Sequence, residues 1–441
     1  MSLRTFTDTD SPPLLQPFPV RSSSTLLSSS RFPTGPQSLP DLVVFSHLRW
    51  DFVFQRPQHL LSRCATSNRV FFVEEPIFDA AADGPFLEIR KRGNWLNVVV
   101  PHLRAETSGE DATPVLRALT DELLAIADIG RFVSWYYTPM ALPFTRHLKP
   151  ACVVYDCMDE LSLFQGAPPS LVEMEIELFR LADVVFTGGR TLYEHKKAHH
   201  SNIHAFPSSI DALHFGKARD PLLAEPATQR VLSGPKIGYY GVIDERMDLD
   251  LIAGLADARP DWNLILLGPV VKVDPARLPQ AANIHYLGSQ AYEDLPAYVK
   301  GWDAAILPFA LNDSTRFISP TKTPEYLAAG VPVVSTSIRD VITPYGDQGL
   351  ALIADGTPEF LSALEAQLAM TPKYRREWLH QVNVFLANLS WDATWEQMRN
   401  LIPALSQEPP ANAVRGPTRL LLPAVSTAAA PFRSGKEMAA S

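Results

Sequence analysis

The sequence predicts an α/β protein with two Rossmann-like, doubly wound domains that face each other across a cleft. Short apolar runs alternate with amphipathic segments through most of the 441 residues. The runs are continuously apolar and rich in Val and Phe, as expected for parallel strands covered on both faces. They form two series separated by a polar, Pro-containing stretch, and a chain of this length can bury two cores.

The first series places the N-terminal domain at residues 41–215. Its predicted strands are DLVVFS (41–46), RVFFVE (69–74), LNVVV (96–100), RFVSWY (131–136), ACVVYD (151–156) and DVVFTG (183–188). Amphipathic segments at 56–67, 113–128 and 170–183 are predicted to be helices. Strand–helix alternation of this kind is typical of a doubly wound sheet.

The second series places the C-terminal domain at residues 236–390. Its predicted strands are KIGYYG (236–241), WNLILLG (262–268), NIHYLG (283–288), DAAILPF (303–309) and VPVVST (331–336). Residues 216–235 are predicted to be a hinge, and a last helix at 391–404 is predicted to pack back across the domain junction. Ligands of such sheets bind beyond the carboxyl ends of the strands, so we expect the functional site there.

Composition and charge restrict the location and the partners. The net charge of −9 argues against a general nucleic-acid binder, which would be strongly basic. The three cysteines lack metal-type spacing and are typical of free thiols in a reducing compartment. No apolar run reaches the ~18–20 residues that span a bilayer, and the N-terminus lacks the apolar core of a signal peptide. We therefore expect a cytoplasmic protein, with Ser/Pro-rich residues 1–40 and the similar residues 405–441 as disordered tails.

The most informative segment is the loop and short helix around Ser319-Pro320-Thr321-Lys322-Thr323. The amides at a helix start, two hydroxyls and a Lys charge together favour binding of an anion such as a pyrophosphate. A helix that is merely capped explains the same residues equally well. Glu325, in the first turn, either stabilises the helix or accepts hydrogen bonds from a ribose diol.

The order GYYG, LILLG, NIHYLG, WDAAILPF and SPTKTPEYLAAGVPVVST resembles the C-terminal domain of family-4 type GT-B glycosyltransferases. The segment PSSIDALHF (207–215) resembles the motif that closes their N-terminal domain. The segment WDFVFQRPQ (50–58) resembles the motif that opens the N-terminal domain of a bacterial surface-polysaccharide subgroup, which includes teichuronic-acid-type transferases. The resemblance covers most of residues 41–403. It implies the GT-B fold, a UDP- or GDP-linked sugar donor, a saccharide or lipid-linked saccharide acceptor, and a role in cell-surface polysaccharide or glycolipid synthesis.

By this resemblance Glu325 corresponds to the second Glu of the family's paired-glutamate motif, which binds the donor ribose. The first Glu belongs eight positions earlier, where this chain has Phe317. This departure puts the sugar-binding role of that position and a retaining stereochemistry in doubt. The family usually has Arg after Gly241, but here Val242 follows, so Arg246 is either the nearest phosphate-binding cation or a surface residue without a role. The predicted donor-binding residues are Gly241, Arg246, Ser319, Thr321, Lys322, Thr323 and Glu325.

Two clusters in the N-terminal domain are candidates for catalysis. His47, Arg49 and Asp51 follow the first strand. In one interpretation they face the donor phosphates or the acceptor. In the other, Arg49 and Asp51 form a surface ion pair and Trp50 packs. Three carboxylates, Asp156, Asp159 and Glu160, follow a buried strand, which is costly unless they are paired or functional. In an inverting enzyme Asp156 or Asp159 is the general base; in a retaining one they bind sugar hydroxyls; alternatively one of them pairs with Arg49 or Arg56. The predicted catalytic residues are Asp156, Asp159, Asp51 and His47.

Two further segments leave alternatives open. Gly188-Gly189-Arg190 opens a helix and either holds a phosphate or makes a tight turn. The basic run at 193–200 is either a solvated face or a contact with anionic membrane headgroups or a lipid-pyrophosphate acceptor. Peripheral contact with the inner membrane is part of this second alternative.

No metal and no cofactor are expected, because the sequence shows neither a His/carboxylate triad nor an Asp-x-Asp signature. Fold alone does not decide activity, so two rivals remain. One is another enzyme on the same scaffold, such as a nucleotide-sugar epimerase; a phosphorylase would need a pyridoxal-binding Lys region. The other is a non-catalytic partner subunit of a polysaccharide-assembly complex. A dinucleotide oxidoreductase is disfavoured, because no GxGxxG follows the first strand.

Overall fold

A computed structural model describes residues 20–22, 39–81 and 84–406 of the chain. The chain divides into two compact units. The first consists of Met1–Trp50 and Cys64–Ala151, and the second of Asp51–Arg63 and Cys152–Ser441. None of the described helices is long and apolar enough to cross a membrane.

The first unit is built on a mostly parallel sheet. Its strands lie in the order Val20–Ser22, Phe86–Lys91, Leu96–Arg104, Val70–Val73, Asp41–Phe45 and Phe132–Tyr136, with Ile77–Ala80 also on Leu96–Arg104. Only the pairing of Phe86–Lys91 with Leu96–Arg104 is antiparallel among these described strands. The helical elements are Gly109–Ile126, Pro139–Ala141 and Leu142–Thr145. The central strands are fully buried, as their continuous apolar sequence predicts.

The second unit carries two groups of parallel strands. The first group is Cys152–Cys157, Val184–Thr187 and Ile203–Ala205, paired in that order. Helix Arg56–Cys64 begins in this unit, and the other helical elements of this part are Leu161–Leu163, Leu171–Leu181, Arg190–Lys196 and Ala212–Gly216.

The second group is a six-stranded parallel sheet. Its order is Ile284–Tyr286, Asn263–Leu267, Lys236–Tyr240, Ala304–Leu307, Val333–Ser335 and Ala351–Ile353. Its α-helices are Ala227–Arg230, Leu249–Ala258, Leu295–Lys300, Lys322–Ala329, Arg339–Val341, Thr357–Leu368, Pro372–Leu386 and Trp391–Leu401. Shorter helical turns lie at Lys217–Arg219, Pro275–Arg277, Tyr292–Asp294 and Ile342–Gly346.

The strand order of this sheet reverses between Lys236–Tyr240 and Ala304–Leu307. From the first of these strands the chain moves outward in one direction, and it then returns to the second and moves outward in the other. In open α/β sheets such a switch point leaves a crevice at the carboxyl ends of the two strands, where ligands bind. The fold therefore places a candidate site beside Gly241 and Pro308.

Every predicted strand of both series forms, but the compact units do not divide at the predicted hinge, residues 216–235. They divide next to Trp50, Arg63 and Ala151. Part of the hinge is packed: the Gln229 side chain is fully buried, donates to the Tyr298 carbonyl at 2.7 Å and accepts from Trp302 Nε1 at 3.1 Å. These hydrogen bonds fasten the segment to the six-stranded sheet, so it is not a free linker.

The tail predictions fall mostly outside the described residues. Val20–Ser22 is an exception, because it pairs in parallel with Phe86–Lys91. The prediction of disorder for residues 1–40 is therefore wrong for these three residues. At the other end Leu405 is buried, so the ordered chain extends slightly past the predicted boundary.

Candidate functional site

Gly241 and Lys322 meet at the switch point. Gly241 follows strand Lys236–Tyr240 with a φ of +136°, a region that favours glycine. A Cβ at Gly241 would lie 2.2 Å from Lys322 Cε and 2.7 Å from Nζ, so the Lys side chain lies directly on the glycine backbone. The Lys322 ammonium also lies 5.7 Å from the centre of the Tyr239 ring. Only glycine leaves room for this arrangement.

The Lys322 ammonium makes no ion pair with a carboxylate of the described residues. No carboxylate of the described residues lies within ion-pair distance of its Nζ, and the side chain is half-buried. Burial lowers the pKa of Lys322 to about 8, with the positive charge of Arg246 adding to the effect and Glu325 opposing it. A cation held in this way at a helix start attracts an anion.

Glu325 is buried one turn further along the same helix. The Tyr240 hydroxyl donates a hydrogen bond to its Oε2. Burial raises the pKa of Glu325 to about 7, against the lowering effects of the Tyr240 hydrogen bond and of Lys322. A carboxylate accepts hydrogen bonds from hydroxyls, as the ribose prediction requires. Tyr240 was not foreseen as the partner of Glu325.

The three predicted hydroxyl residues have different surroundings. The Ser319 carbonyl accepts from the Ser208 hydroxyl at 2.9 Å, which ties the loop to the segment that closes the first series. Thr321 is half-buried and precedes helix Lys322–Ala329 without a side-chain capping bond. Thr323 is fully buried, and its Oγ1 has no hydrogen-bond partner among the described residues. A buried hydroxyl without a partner is unusual and is consistent with a ligand site.

Arg246 lies near the site but already has a partner. Its guanidinium donates to Asp244 at 2.6–3.1 Å and lies 5.5 Å from the ring centre of Phe164. The ion pair raises the pKa of Arg246 despite burial. Because Asp244 takes the forked face of the guanidinium, the predicted bidentate contact with a phosphate would require this pair to open.

A pocket of about 360 Å³ adjoins this ion pair. Its lining includes five carboxylates, among them Asp244 and Asp248, and only two cations, Lys272 and Arg277. An acidic lining repels a diphosphate. The diphosphate is therefore better matched to the Lys322 side of the loop.

Of the carboxylates in the loop after strand Cys152–Cys157, Asp159 is the one available for catalysis. It is half-buried, and no described residue donates a hydrogen bond to its carboxylate. Burial raises its pKa, with Asp244 adding to the effect and with Arg246 and Arg56 opposing it. A carboxylate with a raised pKa, close to Arg246, can accept a proton from a hydroxyl.

Asp156 is not available for this role, and its catalytic prediction is corrected. It is fully buried and accepts three hydrogen bonds from Arg56, at 2.8–3.1 Å, while Arg56 also donates to the Phe206 carbonyl at 2.7 Å. The sequence alternative of pairing with Arg56 is the one that forms. A carboxylate held by a buried guanidinium cannot reach a substrate without breaking that pair.

The predicted His47 and Asp51 fall in different compact units. His47 is half-buried after strand Asp41–Phe45, and Asp51 is exposed at the start of the second unit. Their catalytic roles stay predictions. Nearby, Arg49 pairs with Glu74 at 3.0 Å, and the alternative of an Arg49–Asp51 pair stays a prediction. Trp50 packs on Phe72, as that alternative expected, with ring centres 5.0 Å apart.

The helix start at Gly188-Gly189-Arg190 is already occupied by a carboxylate. Asp340 accepts hydrogen bonds from the Arg190 and Thr191 amides, at 2.8 and 3.0 Å, and from the Thr191 hydroxyl at 2.5 Å. A Cβ at Gly189 would lie 2.4 Å from Asp340 Oδ2. The phosphate interpretation is therefore wrong: the anion at this helix is part of the protein.

The basic run after this helix is largely engaged inside the protein. Lys196 is buried between Glu160 and Glu175, at 2.6 Å from each. His199 stacks on Phe179 with ring centres 5.3 Å apart, and His200 contacts the Ala182 carbonyl at 2.9 Å. A wholly solvated face is thus wrong for this run, and membrane contact stays a prediction that these residues do not favour.

Phe317, where the family has its first Glu, is buried against His195. Their ring centres lie 4.7 Å apart, and the Arg316 guanidinium lies 5.2 Å from the Phe317 ring. An apolar contact therefore replaces the expected carboxylate. Among the described residues, no group of three or more His, Cys, Asp or Glu could hold a metal ion.

The comparisons with known proteins agree with this geometry. Residues 234–369, which contain the switch point and the Lys322 helix, match the family described as glycosyl transferases group 1. TuaH of Bacillus subtilis is 25% identical over 243 residues. Its name provisionally assigns that protein to glycosyl transfer in teichuronic acid biosynthesis. That match covers 51% of this chain and 60% of TuaH.

The solved structures that resemble the chain have the GT-B fold. Sucrose-phosphate synthase of Thermosynechococcus elongatus superposes with a TM-score of 0.60 at 12% identity, over 82% of this chain and 98% of that one. Anabaena HepE, in complex with UDP and glucose, gives a TM-score of 0.60 at 12% identity, over 81% of this chain and 98% of that one. The shared fold confirms the prediction of a GT-B fold.

Proposed function

We propose that the protein transfers a glycosyl group from a nucleotide-diphosphate sugar to a hydroxyl of a saccharide or lipid-linked saccharide. The observation that carries this proposal is the Gly241–Lys322–Glu325 arrangement at the switch point, within the segment that matches the group 1 glycosyl transferase family. It combines an unpaired cation and a helix start, which suit a diphosphate, with a buried carboxylate that suits a ribose diol.

In the proposed reaction the acceptor oxygen attacks the anomeric carbon of the donor sugar. A new glycosidic C–O bond forms, and the bond between the anomeric carbon and the diphosphate oxygen breaks. The negative charge of the departing nucleoside diphosphate develops beside Lys322 and the helix amides, which stabilise it electrostatically. The acceptor proton passes to Asp159, because Asp156 is held by Arg56.

The acceptor and the cellular role are proposed from the named relatives. TuaH carries a name from teichuronic acid biosynthesis, and another structure with this fold is WaaG, a glycosyltransferase involved in lipopolysaccharide biosynthesis. We therefore propose a role in the synthesis of a cell-envelope polysaccharide or glycolipid. A cytoplasmic location with a peripheral membrane contact belongs to the same proposal.

The test has a binding arm and a turnover arm. Calorimetry against UDP- and GDP-sugars identifies the donor, and release of nucleoside diphosphate is then measured with and without saccharide acceptors. Acceptor-dependent release is expected, and Asp159→Asn should lower it by roughly 10²–10⁴-fold at unchanged donor affinity. The matched variant Asp156→Asn breaks a buried ion pair and should instead destabilise the fold by about 3–5 kcal/mol.

The remaining outcomes separate the rivals. Conversion of the nucleotide sugar without any acceptor would identify an epimerase. Donor binding without turnover on any acceptor would identify a non-catalytic subunit. Near-normal turnover in Asp159→Asn would remove Asp159 from the mechanism and direct attention to His47 and Asp51.

A further inference from the structure

Lys196 is a deeply buried cation near the loop that carries Asp159 and Glu160. It ends helix Arg190–Lys196 with only 4% of its surface exposed. Its Nζ lies 2.6 Å from Glu160 Oε2 and 2.6 Å from Glu175 Oε2. Two carboxylates around one ammonium form a buried cluster, and removal of the ammonium leaves both negative charges without their counter-ion.

This cluster holds the loop that carries Asp159. Glu160 directly follows Asp159, so the Lys196–Glu160 ion pair holds the carboxyl side of Asp159. The amino side is fixed by Asp156, which is bound to Arg56. The strand before the loop is held as well, because the Tyr155 hydroxyl donates to Glu175 Oε1 at 2.8 Å. Asp159, to which no described residue donates a hydrogen bond, thus lies between two anchored residues, Asp156 and Glu160.

The same cluster extends to the donor loop. His195 Nε2 lies 3.5 Å from Glu160 Oε2, and the His195 ring packs on Phe317, with ring centres 4.7 Å apart. Phe317 precedes Ser319 by two residues in the loop that leads to Lys322. Side-chain contacts therefore run continuously from the donor loop through His195 and Glu160 to the Asp159 loop.

We propose that Lys196 is a positioning residue: through Glu160 it holds Asp159 at a fixed distance from the donor loop. The inference rests on the proposed function, in which Asp159 accepts the acceptor proton. Without Lys196, two carboxylates lose their counter-ion inside the protein, and Glu160 must either take up a proton or move toward water. Either change shifts the loop that carries Asp159. A displacement of about 1 Å can cost on the order of 100-fold in rate.

The experiment compares Lys196→Met with its neighbour Lys197→Met in the full chain. Lys197 is exposed and pairs with Glu194, so it is the matched control. Lys196→Met should lower kcat by roughly 10- to 100-fold while donor affinity by calorimetry stays within about twofold. Lys196→Arg, which keeps the charge, should recover much of the lost rate, and Lys197→Met should behave as wild type.

The pH profile distinguishes positioning from stability alone. The charged groups that face Asp159 are Arg56, Asp244 and Arg246; those that face Lys196 include Glu160 and Glu175. If Glu160 stays ionised in Lys196→Met, its uncompensated negative charge lies next to Asp159 and disfavours ionisation of that carboxyl. The acid limb of the pH profile of kcat should then move to higher pH. Glu160→Gln should lower kcat without that shift, because it removes the charge. It also replaces Lys196→Met as the test variant should the latter not fold.

Two results would overturn the inference. One is a folded Lys196→Met or Glu160→Gln protein with wild-type kcat. The other is a loss of kcat that only follows a loss of folded protein, with an unchanged pH profile in the remaining active enzyme. Failure of the proposed function gives a different result, because wild type then lacks acceptor-dependent turnover or Asp159→Asn retains it.

Discussion

Two helices of the second unit differ in whether a carboxylate of the protein lies at the N-terminus. This difference distinguishes a structural helix start from a candidate binding site. Helix Arg190–Lys196 begins against the carboxylate of Asp340, which takes two backbone amides and a hydroxyl. Helix Lys322–Ala329 begins with a Lys whose ammonium has no carboxylate partner among the residues that the structure describes. Both starts favour an anion. The first is supplied with one by the protein, and only the second can accept one from a substrate.

The two lysines of these helices show the same contrast. Lys196 is buried between two carboxylates, which raise its pKa against the effect of burial. Lys322 has no carboxylate within ion-pair distance among the described residues, and burial lowers its pKa to about 8. An ammonium that burial destabilises gains most from a bound diphosphate, because the ligand supplies negative charge.

The largest expected effect is at Lys322. Lys322→Ala should weaken binding of the nucleotide-sugar donor by roughly 10- to 100-fold, because a hydrogen bond between charged groups contributes about 1.5–3 kcal/mol. Titration calorimetry measures it, with the exposed Lys373→Ala as the control for loss of one positive charge. Equal affinities in wild type and Lys322→Ala would show that this helix start is no more functional than that of Arg190–Lys196.

A second effect is the pH dependence of donor affinity. Burial lowers the pKa of Lys322 to about 8, so its charge is present below that pH and is lost above it. Donor affinity should therefore fall as pH rises, by up to about tenfold per unit above pH 8. Lys322→Arg stays charged and should remove this dependence. An alkaline fall of the same size in Lys322→Arg would assign it to another group.

A smaller effect is expected at the helix start that the protein fills itself. Asp340→Ala leaves the Arg190 and Thr191 amides without their acceptor and should lower stability by about 1–2 kcal/mol, as for loss of a helix cap. Denaturant unfolding measures this, with Asp355→Ala as the control, because Asp355 accepts one amide on an exposed loop. Donor affinity should not change. A loss of donor binding at intact stability would place Asp340 in the site.

The sequence predicted what depends on local pattern. Continuous apolar runs gave every strand of the six-stranded sheet, and the motif around Lys322 led to the residues that lie beside Gly241. Ion-pair and hydrogen-bond partners that lie far apart in the sequence could not be predicted. Asp156 and Asp159 read alike in sequence, and only Arg56, 100 residues away, tells them apart. Asp340, about 150 residues from the helix that it caps, gave no signal at all.

The basic run shows why helix phase also matters. Lys196 and Lys197 are adjacent in sequence, but successive residues on a helix point about 100° apart, so they enter different environments. Lys196 is 5% exposed in its side chain and Lys197 is 50% exposed. When the basic run is interpreted as a single solvated face, the buried ion pairs of Lys196 are therefore missed.

The smallest expected effect is that of metal removal, and it tests what neutralises the diphosphate. Lys322, the helix amides and a nearby Arg246 supply positive charge at the switch point. The described residues there include no group of three metal-ligating side chains. Acceptor-dependent turnover should therefore be the same, within about twofold, in EDTA and in excess Mg²⁺, since the transition-state charge is met by fixed protein groups. Lys322→Ala refines the test: if protein charge alone acts, Mg²⁺ should not restore its donor affinity. Complete loss of wild-type turnover in EDTA, restored by Mg²⁺ or Mn²⁺, would show that a metal supplies the charge here, and that the unpaired Lys322 is a secondary contact.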